Sequence, residues 1–236
     1  MVKKKKKWEI NSFLNPQISK IFVFLTFYPT ENQKPTLLIY GVDPATASKD
    51  YPQTSYLATG TQAPSGNKNH VMFSKLSNVH GNKGEDEESD SEDEDEDDSE
   101  LAQVATCKLK HKGAVNRVRC KGNFAAVFSE RKQVSVYDVR PAVKALNDVN
   151  EKRKWMVAEK QKKEAMKPVH VFSGHREEGY ALSFSESASL LSGDCKGAIH
   201  YWKPSETGFV VDQIPFTDHT DSVEDLQNVW VGEWRI

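Results

Sequence analysis

Cysteine is scarce in this chain of 236 residues. Its three thiols, Cys107, Cys120 and Cys195, are widely spaced and form no CxxC pair. That argues against a zinc site or a disulfide framework and suits a reducing compartment, with the thiols acting as small buried hydrophobes. Catalytic and phosphate-binding signatures are also missing: no GxGxxG follows a strand-like run, and there is no GxxxxGK followed by Ser or Thr, no HExxH and no GxSxG. Catalysis is therefore not expected, and neither is a metal ion or a cofactor. Long apolar runs are absent as well. The stretch Ile21 to Tyr28 is eight residues long, whereas a helix that crosses a bilayer needs roughly 20. The lysines Lys3 to Lys7 precede it in an order that mimics a signal peptide, but they stand far from it and no small-residue cleavage site follows. The stretch reads instead as a buried strand, the lysines as a nuclear-import or nucleic-acid patch, and no membrane partner is expected.

Acid, in contrast, is plentiful and concentrated. Between Glu85 and Glu100 the residues Glu85, Asp86, Glu87, Glu88, Asp90, Glu92, Asp93, Glu94, Asp95, Glu96, Asp97, Asp98 and Glu100 are interrupted only by Ser89, Ser91 and Ser99. These 13 acids belong to a total of 34, so the rest of the chain sets 21 acidic residues against 32 Lys plus Arg. Outside the run the chain is net +11, although the whole is -2. Charges of one sign at this density repel and bury nothing apolar, so the segment is expected to stay solvated and unfolded. Such a tether attracts basic surfaces over about 8 to 10 Å at physiological salt and can shield a cationic client from nucleic acid.

Strand-like segments repeat on either side. His111 is followed by Val115 to Arg119, Phe124 to Phe128 and Gln133 to Val139; His175 is followed by Tyr180 to Phe184, Leu190 to Gly193 and Ala198 to Trp202. The aromatics Tyr137 and Trp202 come 26 and 27 positions after their histidines, and His219 opens a third unit. Short strands, a Gly-His dipeptide and an aromatic about 27 residues later are the pattern of a WD-repeat propeller blade. Earlier, Ser55 to Thr61 and His70 to Leu76 read as two inner strands of a preceding blade, which puts the acidic run in a strand-to-strand loop.

The fold class expected is all-β, a partial WD-repeat β-propeller of about three blades out of seven, with an acidic disordered loop and one inserted helix. The divisions fall at 1–27 (an atypical basic and apolar segment), 28–84 (a first partial blade), 85–100 (the acidic loop), 101–140 (a WD-like blade), 141–168 (the helix), 169–218 (a WD blade) and 219–236 (the start of another). The helix, bounded by Pro141 and Pro168, carries Val143, Leu146, Val149, Trp155 and Met156 as an imperfect apolar stripe suited to docking on the propeller rim. His111, Tyr137, Asp138, His175, Asp194, Trp202, His219 and Asp225 read as structural residues of the repeats, not as bases or metal ligands. The hydrogen-bond set typical of a blade is expected to be incomplete, because Lys196 stands where an aspartate is usual and Tyr137-Asp138 replaces Trp-Asp.

Several stretches together resemble the glutamate-rich WD-repeat proteins, the nucleolar ribosome-assembly relatives of the retinoblastoma-binding histone chaperones. They are Tyr51 to Ala63, Leu76 to Gly81, the acidic run, Asn116 to Arg119, Met166 to Pro168, Ser192 to Trp202, Val211 to Gln213 and His219 to Gln227. The resemblance implies a non-enzymatic chaperone-like scaffold of the nucleus and nucleolus that acts in large-subunit ribosome assembly. It implies binding to basic ribosomal proteins and pre-ribosomal particles, and core histones as a further class of client. That role falls on the acids of 85–100, with Ser89 and Ser91, each followed three residues on by an acid, as acceptors for an acidophilic kinase. Two alternatives stay open: a histone-binding chromatin factor, and an RNA-binding assembly factor whose basic surface is inhibited by the acidic loop. Residues 1–27 and the residues after Gln227 depart from the family pattern, and seven blades of about 40 residues need roughly 280, so a shortened version of the family's propeller is expected.

Overall fold

A computed structural model of the chain describes residues 34–36, 52–63, 68–79, 102–161, 163 and 165–228. The expectations for 1–27, for the acidic run and for the residues after 228 lie outside these. Three four-stranded antiparallel sheets follow one another along the chain, each with its strands in sequence order. The first holds β1 (Lys34–Thr36), β2 (Gln53–Gln62), β3 (Asn69–Val79) and β4 (Gln103–His111). The second holds β5 (Val115–Lys121), β6 (Phe124–Ser129), β7 (Gln133–Asp138) and β8 (Pro168–Phe172). The third holds β9 (Ala181–Phe184), β10 (Leu190–Gly193), β11 (Ile199–Ser205) and β12 (Gly208–Val211). These are three blades of a WD-repeat propeller. The first two sheets close with a strand from the following division of the sequence: β4, grouped with 101–140 by the sequence, pairs with β3, and β8 pairs with β7. In the first blade Ser55 to Thr61 and His70 to Leu76 fall in β2 and β3, the two middle strands of the sheet, with β1 and β4 at its edges.

The middle blade shows why its strand β6 is almost wholly apolar. Successive side chains of a strand point to opposite faces, and in β6 all of Ala125, Ala126, Val127, Phe128 and Ser129 are buried. Ala125 and Val127 join a core shared with the first blade, alongside Val71, Phe73, Leu109, Val115 and Val118. Ala126 and Phe128 join a second core, with Val134, Val136, Leu182, Leu190 and Trp202, shared with the third blade. The blade is covered on both faces, so the alternation of polar and apolar residues expected of a half-exposed strand disappears. The approach of the first two blades is close: a Cβ built on Gly60 would lie 2.2 Å from Val115 Cγ1, and only glycine fits there.

The insert between β7 and β8 is two helices, where one was expected: α1 (Arg140–Asn147) and α2 (Val149–Lys160). Asp148 divides them. Its backbone is extended (φ -127°, ψ 124°) and its carboxylate accepts hydrogen bonds from Asn150 N at 2.7 Å and Glu151 N at 3.0 Å, capping the second helix while the first ends. Ala142, Ala145, Leu146 and Trp155 enter the core shared by the first two blades. The Trp155 indole N–H donates to Lys108 O of β4 at 2.9 Å. Of the apolar stripe read from the sequence, Leu146 and Trp155 are therefore docked, whereas Val149 and Met156 face outward.

Candidate client-binding surface and the blade that carries it

The acidic run sits in the connection between β3 and β4, whose bases are hydrogen-bonded neighbours: Ser77 pairs with Gln103 and Leu76 with Val104. The residues Glu85 to Glu100, with Ser89 and Ser91, lie outside the described residues; the structure describes their anchorage. The two strands that flank the connection lie side by side on one blade. The anchorage is braced from the insert, because Lys75 Nζ donates to Asn147 Oδ1 at 2.8 Å and the Tyr56 hydroxyl exchanges hydrogen bonds with the same Asn147 amide. Farther along β4, Lys108 and Lys110 are exposed. Burial, followed by the charge of Lys108, holds the His70 imidazole below its usual range.

The third blade contains the hydrogen-bond set that the sequence suggested would be incomplete. Trp202 Nε1 donates to Ser192 Oγ at 2.9 Å, His175 Nε2 lies 2.8 Å from the same oxygen, and His175 Nδ1 lies 3.1 Å from Asp194 Oδ2. A carboxylate only accepts, so Nδ1 carries the proton, Nε2 accepts from the Ser192 hydroxyl, and that hydroxyl accepts from Trp202. The chain of donors runs in one direction and requires a neutral imidazole. Burial, reinforced by the neighbouring His200, pushes the His175 pKa down to about 4 against the pull of Asp194. Phe128 of the middle blade closes over the ring at 4.7 Å, between centroids. Burial pushes the Asp194 carboxyl up, but donation from Ala198 N, His175 and Lys196 N outweighs it and holds the group below the usual range. Asp194 does this from the first position of a turn that Gly197, at φ 80°, completes. The acid at 194 thus does what the sequence sought at 196, and Ser192, for which the sequence carried no signal, is the hinge of the set.

The middle blade lacks the arrangement. Pairing of Tyr137 with Ala125 puts Val127 where the third blade has Ser192, and Ser129 where it has Asp194. His111 is buried and its Nδ1 lies 3.0 Å from Gly113 O instead. Tyr137 is buried in the core shared with the first blade. Asp138 accepts from Arg140 N at 3.0 Å and pairs with the Arg140 guanidinium, which holds its carboxyl below the usual range and starts α1. His219 is exposed and takes part in no such set among the described residues. Asp225 is 57% exposed at its side chain and faces Arg117 and Arg119 of β5 at 3.8 and 3.6 Å; it is an inter-blade ion pair and no part of a His-Trp set. The segment around it runs beside β9 and β10, with Val223 N donating to Asp194 O at 3.1 Å and Asn228 Nδ2 to Ser183 O at 3.1 Å.

A second polar clamp that the sequence gave no sign of closes the first blade. Fully buried Asn69 accepts from Thr61 Oγ1 and from Ala63 N, and returns its amide to Ala63 O. Among the described residues no three His, Cys, Asp or Glu side chains are gathered as a metal site would require, and no helix is long and apolar enough to cross a membrane.

Comparison with known proteins places this architecture. Protein HEAT STRESS TOLERANT DWD 1 of Arabidopsis thaliana is 36% identical over 75% of this chain and 42% of its own length. Glutamate-rich WD repeat-containing protein 1 of Dictyostelium discoideum is 36% identical over 75% of this chain and 38% of its own. The chain is a homologue of the glutamate-rich WD-repeat proteins. Ribosome assembly protein rrb1 of Schizosaccharomyces pombe is a further relative of this WD-repeat homologue, 32% identical over 75% of the chain. The chain spans about two fifths of the length of these relatives. No family model matches it. A chain in a crystal structure of the mitotic checkpoint complex overlaps 72% of this one and 37% of its own length, at 14% identity and a TM-score of 0.40, too loosely to add to what the sheets themselves show.

Proposed function

We propose that this chain is a non-enzymatic scaffold of ribosome assembly whose acidic run holds newly made Lys- and Arg-rich proteins of the large subunit until they join the pre-ribosomal particle. Core histones share the chemistry that the run recognises and are a second class of client. The place of action is the nucleus and nucleolus. The observation that carries the reading is the insertion of 13 carboxylates within 16 residues into a single strand-to-strand connection, both ends of which are fixed on a packed blade. A polyanion tethered this way keeps a high local concentration beside whatever the propeller binds, and it neutralises a cationic client without requiring one fixed pose. The similarity to a protein named for ribosome assembly supports the context. Phosphorylation of Ser89 and Ser91 adds about -1.5 to -2 charges each and strengthens the capture.

The test is calorimetric titration of the chain with a basic large-subunit ribosomal protein and, separately, with histones H3–H4, before and after deletion of 85–100. The reading expects micromolar or tighter binding that the deletion abolishes. Equal affinity for both forms overturns it. If the deletion instead raises affinity for single-stranded RNA and leaves protein binding unchanged, the acidic run is an intramolecular inhibitor of the basic surface that includes Lys108 and Lys110.

A further inference from the structure

The two sides of α2 differ in kind. At 100° per residue, Glu151, Trp155 and Ala158 fall on the side turned toward the blade, where Trp155 is buried and Glu151 pairs with Lys144 and Lys154 at 3.4 and 2.9 Å. On the opposite side Val149, Arg153, Met156, Val157 and Lys160 share an arc of about 100°. The three aliphatic residues of that arc are 75%, 49% and 46% exposed, and both cations are exposed. Neither cation makes an ion pair with a described residue. No acid of the helix lies on the arc: Glu159 falls off it, toward the Trp155 side, where its charge acts on His70 and Cys107 of the first blade.

An outward helix face held in place from behind has no need of aliphatic side chains, and the cations beside them pair with none of the described residues. We propose that this face of α2 is a docking surface for an acidic amphipathic segment of another protein, which lays its apolar side chains on Val149, Met156 and Val157 and its carboxylates on Arg153 and Lys160. The mixed chemistry selects the occupant. The chain's own acidic run contains only Asp, Glu and Ser between Glu85 and Glu100, so it could neutralise the cations but would leave the aliphatic surface uncovered, and so would a nucleic-acid backbone. A partner helix of similar length meets the whole face, because the 12 residues of α2 extend about 18 Å at 1.5 Å per residue. The scaffold then carries two docking elements of opposite preference, and this one stands independently of what the acidic run binds.

The experiment measures fluorescence anisotropy of the full chain against four probes: a synthetic glutamate-rich peptide with leucines at helical i, i+3, i+4, i+7 spacing, the same composition with the leucines scattered, polyglutamate, and poly(U). The proposal expects the amphipathic peptide to bind, and its affinity to fall at least tenfold in Met156→Glu and again in the double variant Arg153→Glu, Lys160→Glu. The other probes should show no such dependence. Met156→Ser, with retained Trp155 fluorescence as the sign that α2 is docked, carries the test if the charged variant loosens the helix. Unchanged peptide affinity in these variants overturns the proposal. Equal binding of the scattered peptide does so too, since charge alone would then suffice, and displacement of the peptide by poly(U) assigns the face to nucleic acid instead.

Discussion

Ser192 shows how one small side chain can order a blade. Its hydroxyl accepts from Trp202 and donates to His175 in a fully buried site, so Ser192→Ala strands two polar groups at once. Each such group costs about 1–3 kcal/mol, and the variant should lose about 2–4 kcal/mol in urea unfolding; a loss within experimental error would mean that the set contributes nothing. The pH dependence follows from the same geometry. Unfolded, His175 takes a proton near 6.5; folded, it resists until about pH 4. Between those values the unfolded chain binds more protons, so stability falls as the pH drops from about 6.5 to 4, by about 3 kcal/mol for this group. Asp194, whose folded carboxyl is held low, adds a further loss only below its ordinary range near 3.8. Unfolding midpoints from pH 7 to 4.5 should therefore slope downward with acid, and the slope should flatten in His175→Gln. The histidine and the tryptophan are legible from spacing in the sequence, whereas the aspartate lies two positions before the place where spacing seeks it. The serine is not, because a hydroxyl in a strand carries no signal until pairing places it beside an indole.

The strands of the second and third blades are readable because their apolar runs end at Gly, Asn and Ser turns. The helical insert is readable only as one body, since its composition is uniformly helical on both sides of Asp148 and the break depends on a carboxylate turning back onto two amides. The blade boundaries are hidden for another reason: a sequence repeat counts from histidine to aromatic, whereas hydrogen bonding takes the closing strand from the next repeat. Docking of the insert depends on Trp155. Trp155→Ala removes a side chain that is 5% exposed and leaves Lys108 O without its donor; the loss expected is about 3–5 kcal/mol, with faster amide hydrogen exchange throughout α2 and little change in β9 to β12. Exchange rates in α2 equal to those of the parent would show that the helix is held by something other than the indole.

Across the whole molecule, charge is unevenly distributed: 13 of the 34 carboxylates fall between Glu85 and Glu100, and the rest of the chain is net +11. The sheets give that run a fixed base, on a blade braced by the insert and packed against its neighbour. Composition alone reveals the acidic run, but the strands that flank it become neighbours only through the pairing of β3 with β4, which composition does not encode. The central claim is that the charge of the run, and not its length or its mere presence, captures basic clients. The most direct measurement replaces its 13 acids by the corresponding amides, keeping the length, and follows affinity for a basic large-subunit ribosomal protein from low to physiological salt. The account predicts that the parent chain binds with an affinity that falls steeply as salt rises, and that the amide form binds weakly at every salt concentration. Parallel curves of equal affinity would contradict it.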